Sequence, residues 1–177
     1  MPGSDQSRLP VVVMGVSGAG KSTLGAALAR ALGVPFVEGD ALHDAASVAK
    51  MHSGLPLDDA DRSGWLGRIA SQLQDGAQYP LGLVVSCSAL KLAYRDRLRR
   101  ACPGLRFLFL AIEADVARQR LQHREHHFMP AALVPSQFAT LEAPGGNEPD
   151  VVTLDASGAP ASMLSQALAA LRRQPPS

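Results

Sequence analysis

A chain of 177 residues is long enough for one domain with a substantial core. Its 46% hydrophobic and 19% charged residues are ordinary for a soluble globular protein, which excludes a low-complexity or disordered chain. A formal net charge of +1 excludes a global basic field for nucleic acid or an anionic membrane surface. In chain order, Val11-Val12-Val13-Met14 is apolar and β-branched, as a buried parallel strand requires. Gly15-Val16-Ser17-Gly18-Ala19-Gly20-Lys21-Ser22 follows it and fits G-x-x-x-x-G-K-[ST] at every fixed position. The Ala- and Leu-rich stretch 23–32 predicts a helix, stopped by Gly33-Val34-Pro35. A short strand over 35–37 ends in Glu38-Gly39-Asp40, and 45–52 reads as a short helix closed by Ser53-Gly54.

A longer helix starts within 57–62, with Asp58 or Asp59 as its cap and Trp65, Leu66, Ile69 and Leu73 as its buried stripe. A strand over 81–86, a basic helix over 90–100 and an apolar strand over 105–112 follow. Residues 114–124 predict a helix, broken at His126-His127-Phe128-Met129-Pro130 and resumed over 131–141. The loop 143–149 leads to a last strand over 151–154 and a closing helix over 161–173, which packs Met163, Leu164, Leu168 and Leu171. Strands alternate with helices throughout. That predicts an α/β fold: right-handed crossovers and a parallel sheet covered by helices on both faces. Ligands in such folds sit beyond the carboxyl ends of the strands, so chemistry is sought at 15–22, 38–43, 86–91 and near residue 127.

The glycines of 15–22 permit tight turns and close approach to phosphate oxygens, and successive amides at a helix start form an anion cradle. Lys21 supplies a point charge to the outer phosphates and Ser22 a hydroxyl to Mg²⁺. With Thr23 these eight residues form the expected nucleoside triphosphate site. No apolar strand ends in a Walker-B Asp, since 81–85 runs into Ser86-Cys87-Ser88. Asp61-Arg62-Ser63-Gly64 and Asn147-Glu148-Pro149-Asp150 match guanine-switch motifs only by letter. The first lacks a preceding strand, and the second lacks the Lys. A small phosphotransferase remains.

Asp40, at the end of the second strand, is the best carboxylate for drawing the acceptor's proton or for holding Mg²⁺ through water. As a residue type it suits a helix cap equally well. Arg118, Arg120, His123, Arg124, His126 and His127 form a basic cluster leading into a lid over about 119–140. Arg120 and Arg124 share a helix face and can stabilise the transferring phosphoryl group. The three histidines lack Cys or Asp at ligand spacing, so zinc is not expected. The basic helix over 90–100 reads as mostly solvated surface, with Ser88 and Lys91 nearest the acceptor. Cys87 reads as a small buried residue and Trp65 as core.

Two cysteines cannot build a disulfide framework and suit a reducing compartment. The polar N-terminus is not a signal peptide, and no apolar run approaches a membrane span. The expected location is the cytoplasm, without membrane or nucleic-acid partners. One kinase domain is expected over 10–173, with flexible ends at 1–9 and 174–177.

Several strings resemble the small gluconokinases more specifically than the phosphate loop does. They are Gly39-Asp40-Ala41-Leu42-His43; Lys50-Met51 with Ser53-Gly54-Leu55-Pro56-Leu57; Asp59-Ala60-Asp61-Arg62 with Trp65-Leu66; and Ser86-Cys87-Ser88-Ala89-Leu90-Lys91 with Tyr94-Arg95-Asp96. His127-Phe128-Met129, Ser136-Gln137-Phe138 and Leu141-Glu142-Ala143-Pro144 resemble that family's lid and the segment after it. The resemblance implies a P-loop NTPase fold like the nucleoside monophosphate kinases, with a five-stranded parallel sheet and a small helical lid. It implies transfer of the γ-phosphate of ATP to the terminal hydroxyl of D-gluconate, a step of gluconate catabolism, often by a homodimer. Lys21, Asp40, Arg120 and Arg124 would be catalytic. His43, Lys50, Arg62, Ser88 and Lys91 are suitable types for the gluconate hydroxyls and carboxylate, although Arg62 can also pair with Asp58 or Asp59. Glu38, Asp44, Ser47 and Gly64 depart from the family's usual Asp, Pro, Asn and Pro. The residues alone leave open another small-molecule kinase of this fold, such as a shikimate or nucleotide kinase, and a non-catalytic nucleotide-binding switch.

Overall fold

β1 (Val11–Met14) is buried at all four positions, and the sheet extends to both sides of it. The computed structural model describes residues 10–79, 81–124 and 130–173. β1 is flanked by β3 (Val84–Ser86) and β4 (Arg106–Ala111); β2 (Phe36–Glu38) pairs outside β3, and β5 (Val151–Asp155) outside β4. The order β2-β3-β1-β4-β5 is parallel at every pairing, as the expected alternation of strands and helices requires.

Alternation along the strands divides the core in two. Val11, Val13, Val84, Leu108 and Leu110 face one cluster, formed with α1 (Lys21–Leu32), α5 (Ala114–Gln122) and α7 (Pro160–Arg172). Val12, Met14, Val85, Phe107 and Phe109 face the other, formed with α3 (Asp59–Gly76) and α4 (Leu92–Ala101). A third, small cluster joins Met51 of α2 (Ala45–His52) to Leu57 and Leu133. Leu133 ends a 3-10 turn (Ala131–Leu133) that runs into α6 (Val134–Thr140).

The local signals behave as their chemistry dictates. Asp58 caps α3 and closes a capping box with Asp61, which satisfies two end amides at once. Gly33 ends α1 in the left-handed region at φ 68°. Trp65, Leu66, Ile69 and Leu73 are all buried. α7 buries Met163 with Ala167 and Ala170, while Leu164, Leu168 and Leu171 pack partly buried beside them.

Several boundaries differ from expectation. β3 starts at Val84 rather than 81, because Gly82 turns the chain at φ 88°. α1 begins at Lys21 and α4 at Leu92; α5 ends at Gln122, so Arg124 lies beyond it. Residues 131–141 are a 3-10 turn and a short helix rather than one helix. The expected flexible ends and the break over 126–129 lie outside the described residues.

Candidate active site

The loop between β1 and α1 requires its glycines. Gly15, Gly18 and Gly20 have φ of 147°, 84° and 97°, and a Cβ on Gly18 would lie 2.5 Å from the carbonyl oxygen of Ala117. Gly20 caps α1 without a side-chain hydrogen bond, so the first-turn amides face the loop's concavity. Lys21 is 8% exposed, and its Nζ donates to the carbonyl of Val16 at 3.0 Å. Burial lowers its pKa, opposed by the charges of Asp40 and Glu38.

A cavity opens beside this loop. It is lined by Ser17 and Lys21 of the loop, Asp40 and His43 after β2, Ser88 after β3, Arg62 of α3, and Ser136 and Gln137 of α6. Asp40 lies in a 3-10 turn (Gly39–Leu42), whose end is held by Arg68 Nε donating to the carbonyl of Leu42 at 2.6 Å. His43 stacks on Trp65 with ring centroids 4.4 Å apart, and its Nε2 lies 4.0 Å from Asp40 Oδ1. Burial pushes its pKa below the usual value, which keeps the imidazole neutral near pH 7. Trp65 is core, as its spacing implies, yet it also donates from Nε1 to the carbonyl of Gly39 at 2.8 Å and so braces the Asp40 turn.

Glu38 accepts from Ser86 Oγ at 2.5 Å, and Ser86 Oγ accepts from the Gly39 amide at 3.1 Å. The ends of β2 and β3 are thereby tied together. Ser88 presents its carbonyl to the Gly15 amide at 3.3 Å, tying the turn after β3 to the phosphate loop.

Arg120 and Arg124 stand elsewhere. They line a second cleft with Gly20, Thr23, Gly158, Pro160 and Met163. Arg120 bridges the carbonyls of Ala156, at 2.7 Å, and Ala19, at 3.5 Å. Gly158 and Pro160 of this cleft follow β5 and stand beside Arg120. Arg118 instead pairs with Asp115 on the surface.

Two expected substrate contacts lie outside the cavity lining. Lys50 does not line the cavity; its Nζ lies 2.5 Å from Asp61 Oδ2. Lys91 does not line it either and pairs with Asp59 at 2.9 Å. Each was placed by residue type on a family-like string, Lys91 also by its nearness to the end of β3, and each lies against a carboxylate of α3. The solvated reading of the basic helix is also corrected. Arg95 is 1% exposed, donates to Glu148 from Nε and NH2, and reaches the carbonyls of Ala89, Leu90 and Glu142. Arg99 pairs with Glu148, Asp150 and Asp96. The string at 147–150 is a structural anchor for α4. Arg95, held by that anchor, bonds the carbonyl of Ala89, whose φ of 43° is the left-handed exception among the non-glycine described residues.

Sequence reasoning missed Gln137. Its Oε1 accepts from the Ser17 amide at 2.7 Å, joining α6 to the phosphate loop across 120 residues of chain. The Ser136-Gln137-Phe138 string was a motif without a role, and only its recurrence in a family signature singled it out.

The donor set suits Mg²⁺. Ser22 and Asp40 offer hard oxygen ligands, and the described residues contain no cluster of three or more His, Cys, Asp or Glu side chains that would form an all-protein cage. Mg²⁺ characteristically keeps water and substrate phosphates as its remaining ligands. No described helix is long and apolar enough to cross a membrane.

A family model described as an AAA domain matches residues 11–144. The gluconokinase of Gluconobacter oxydans is 50% identical over 139 residues, covering 78% of each chain. The thermosensitive gluconokinase of Escherichia coli is 43% identical, covering 81% of this chain and 77% of that one. The crystal structure of a gluconokinase from Sinorhizobium meliloti superposes with a TM-score of 0.85 at 46% identity, covering 96% of this chain and 94% of that one. Shikimate kinase from Aquifex aeolicus, at 16% identity and a TM-score of 0.57, shares the fold alone.

Proposed function

The chain belongs to the gluconokinases, and from that premise we propose how its residues divide the phosphorylation of D-gluconate. The donor is ATP, held by Gly15 to Thr23, with its base in the cleft beside Arg120, Gly158 and Pro160. The acceptor is the terminal hydroxyl of gluconate, in the cavity between the loop and α3. The observation that carries the division is the single cavity collecting Lys21, Asp40, His43, Arg62 and Ser88 from four separate segments.

In this reading Asp40 accepts a hydrogen bond from the attacking hydroxyl and takes its proton as the bond to phosphorus forms. Lys21 stabilises charge on the outer phosphate oxygens as the bond to the leaving diphosphate breaks. His43, neutral and stacked on Trp65, hydrogen-bonds a sugar hydroxyl together with Ser88. Arg62 receives the carboxylate in a two-pronged contact. Arg120 and Arg124 act from the nucleotide side. Ser22 and Asp40 would hold Mg²⁺, which would supply neutralisation of donor phosphate charge. Catalysis is then positioning plus preorganised charge.

The test is Asp40→Asn. We expect turnover reduced by about 10³-fold, with ATP affinity largely retained. Wild-type kcat in that variant would remove Asp40 from the chemistry. A coupled ADP-release assay with gluconate, shikimate and nucleoside monophosphates tests the acceptor. A single kinase domain over 10–173 with a lid over about 119–140, a cytoplasmic location and a homodimer complete the proposal. Light scattering on the purified chain tests the last.

A further inference from the structure

The first turn of α3 crowds three carboxylates next to Arg62: Asp58 and Asp61 of the capping box, and Asp59. Asp58 and Asp59 stand four and three residues before it, where a helical arginine ordinarily finds its partner. Yet no described carboxylate lies in salt-bridge range of Arg62. All three acids are engaged elsewhere. Asp58 accepts from the Asp61 amide at 2.8 Å. Asp61 accepts from the Asp58 amide at 2.9 Å and from Lys50 Nζ at 2.5 Å. Asp59 accepts two bonds from Lys91 Nζ, at 2.9 and 3.1 Å, and one from the hydroxyl of Tyr94.

Tyr94 is the pivot of this arrangement. A phenol has one proton to give. Tyr94 gives it to Asp59, which leaves its oxygen to accept from Arg62 NH1 at 3.3 Å. The Arg62 guanidinium also lies 5.8 Å from the Tyr94 ring centre, and Lys91 Nζ lies 5.6 Å from it. Arg62 therefore sits in the cavity wall oriented by a neutral partner, with no described carboxylate in salt-bridge range.

We propose that Lys91 and Tyr94, acting through Asp59, are positioning residues that keep Arg62 free for the carboxylate of the acceptor and so set the preference for an anionic substrate. This rests on the reading of Arg62 as the carboxylate partner. Without Lys91, Asp59 is released to turn along its own helix onto Arg62 and compete with the substrate. Lys91 thus serves gluconate binding without touching gluconate.

The competition predicts a rescue that a merely structural role would not produce. Steady-state kinetics on the purified full chain would compare wild type with Lys91→Met, Lys91→Arg, Lys91→Met/Asp59→Asn, Tyr94→Phe and Arg62→Ala. Lys91→Met should raise KM for gluconate about fivefold while kcat and KM for ATP stay within about twofold. Lys91→Arg should stay near wild type. Adding Asp59→Asn to Lys91→Met should bring KM back to within about twofold of wild type, because the amide still accepts from Tyr94 but no longer competes by charge. Tyr94→Phe should raise gluconate KM about tenfold at unchanged KM for ATP. The exposed pairs involved predict melting temperatures within a few degrees of wild type. An unchanged KM in Lys91→Met, or a double variant no better than the single one, overturns the proposal. If Arg62→Ala leaves gluconate KM unchanged, the underlying reading of Arg62 fails instead. If Arg62→Ala raises KM steeply and Lys91→Met does not, only the positioning role is lost.

Discussion

Replacing Gly39 with alanine tests how closely the acceptor side is built. Gly39 lies between the end of β2 and Asp40. A Cβ there would stand 1.9 Å from the carbonyl oxygen of Ser86 and 3.0 Å from Ile69 Cδ1. The nearest obstacle is backbone, so no side-chain rotation relieves it. Even a tight contact of 3.0 Å requires β2 and β3 to part by about 1 Å, in a close-packed core. Gly39 is absent from the positive-φ glycines, so alanine suffers no conformational strain and gains about 0.4–1 kcal/mol from the stiffer unfolded chain. Overpacking costs about 1–3 kcal/mol, and a backbone obstacle at 1.9 Å calls for the upper part of that range, about 2–3 kcal/mol, so the clash wins by at least about 1 kcal/mol. For a chain of this size that lowers the melting temperature by about 2–8 °C. The larger effect is on turnover. The same displacement moves Asp40, and a misplacement of about 1 Å is worth about 100-fold in rate. Thermal melts and coupled ADP release would be measured together. Gly64→Ala is the control: it lies inside α3 on an exposed face, where a Cβ meets only Arg68 NH1 at 3.5 Å. It should gain about 0.5–1 kcal/mol and keep full activity. Gly39→Ala with wild-type kcat and melting temperature would refute the reasoning.

The remaining predictions concern burial. Burial pushes the Cys87 thiol up to about 12, so iodoacetamide at pH 7.5 should label it about 10³-fold more slowly than a free thiol, and denaturant should abolish the protection; rapid labelling of the native chain, read by mass spectrometry, would contradict this. Hydrogen bonds from Arg95, opposed by burial and joined by Arg99, hold the Glu148 carboxyl below its usual value of 4.5. A depressed pKa contributes stability that is complete above 4.5 and is lost as pH falls through the folded value. The melting temperature should therefore drop on acidification below pH 4.5, and Glu148→Gln should flatten that drop, since its contribution is already absent at pH 7. Glu148→Ala should cost about 3 kcal/mol at pH 7 by stranding Arg95, read from urea unfolding; a loss under about 1 kcal/mol would count against the anchor.

What could be read from the chain without its structure follows the range of the forces involved. The phosphate loop is legible because glycine φ values, helix capping and a lysine at fixed spacing are local constraints. So is α3, whose cap and apolar stripe lie within a few turns. The sheet follows from alternation, since parallel strands need covered crossovers. Arg95 was not legible, because a helix with five charged residues reads as solvated until Glu148, 53 residues onward, is brought against it. Lys50 and Lys91 have the chemistry of substrate ligands, and only geometry shows that Asp61 and Asp59 hold them. Gln137 was hidden for the same reason, since a neutral amide acquires its role only when folding sets it on Ser17.

The strand order has a consequence for how such a chain can change over generations. β2 and β3 lie on one side of β1, and β4 and β5 on the other. Everything between the end of α1 and the start of β4, from Gly33 to Leu105, is therefore one uninterrupted block on the acceptor side. It carries Asp40, His43, Arg62, Ser88 and the Lys91–Asp59–Tyr94 chain that orients Arg62. The nucleotide cleft draws instead on the segments before and after that block. A single exchange of this internal cassette between relatives would transplant acceptor choice whole, with the charge arrangement around Arg62 travelling intact. The seams it must respect include the β1–β3 pairing, the Ser88 carbonyl on the Gly15 amide, Leu133 against Met51 and Leu57, and Glu148 and Asp150 against Arg95 and Arg99.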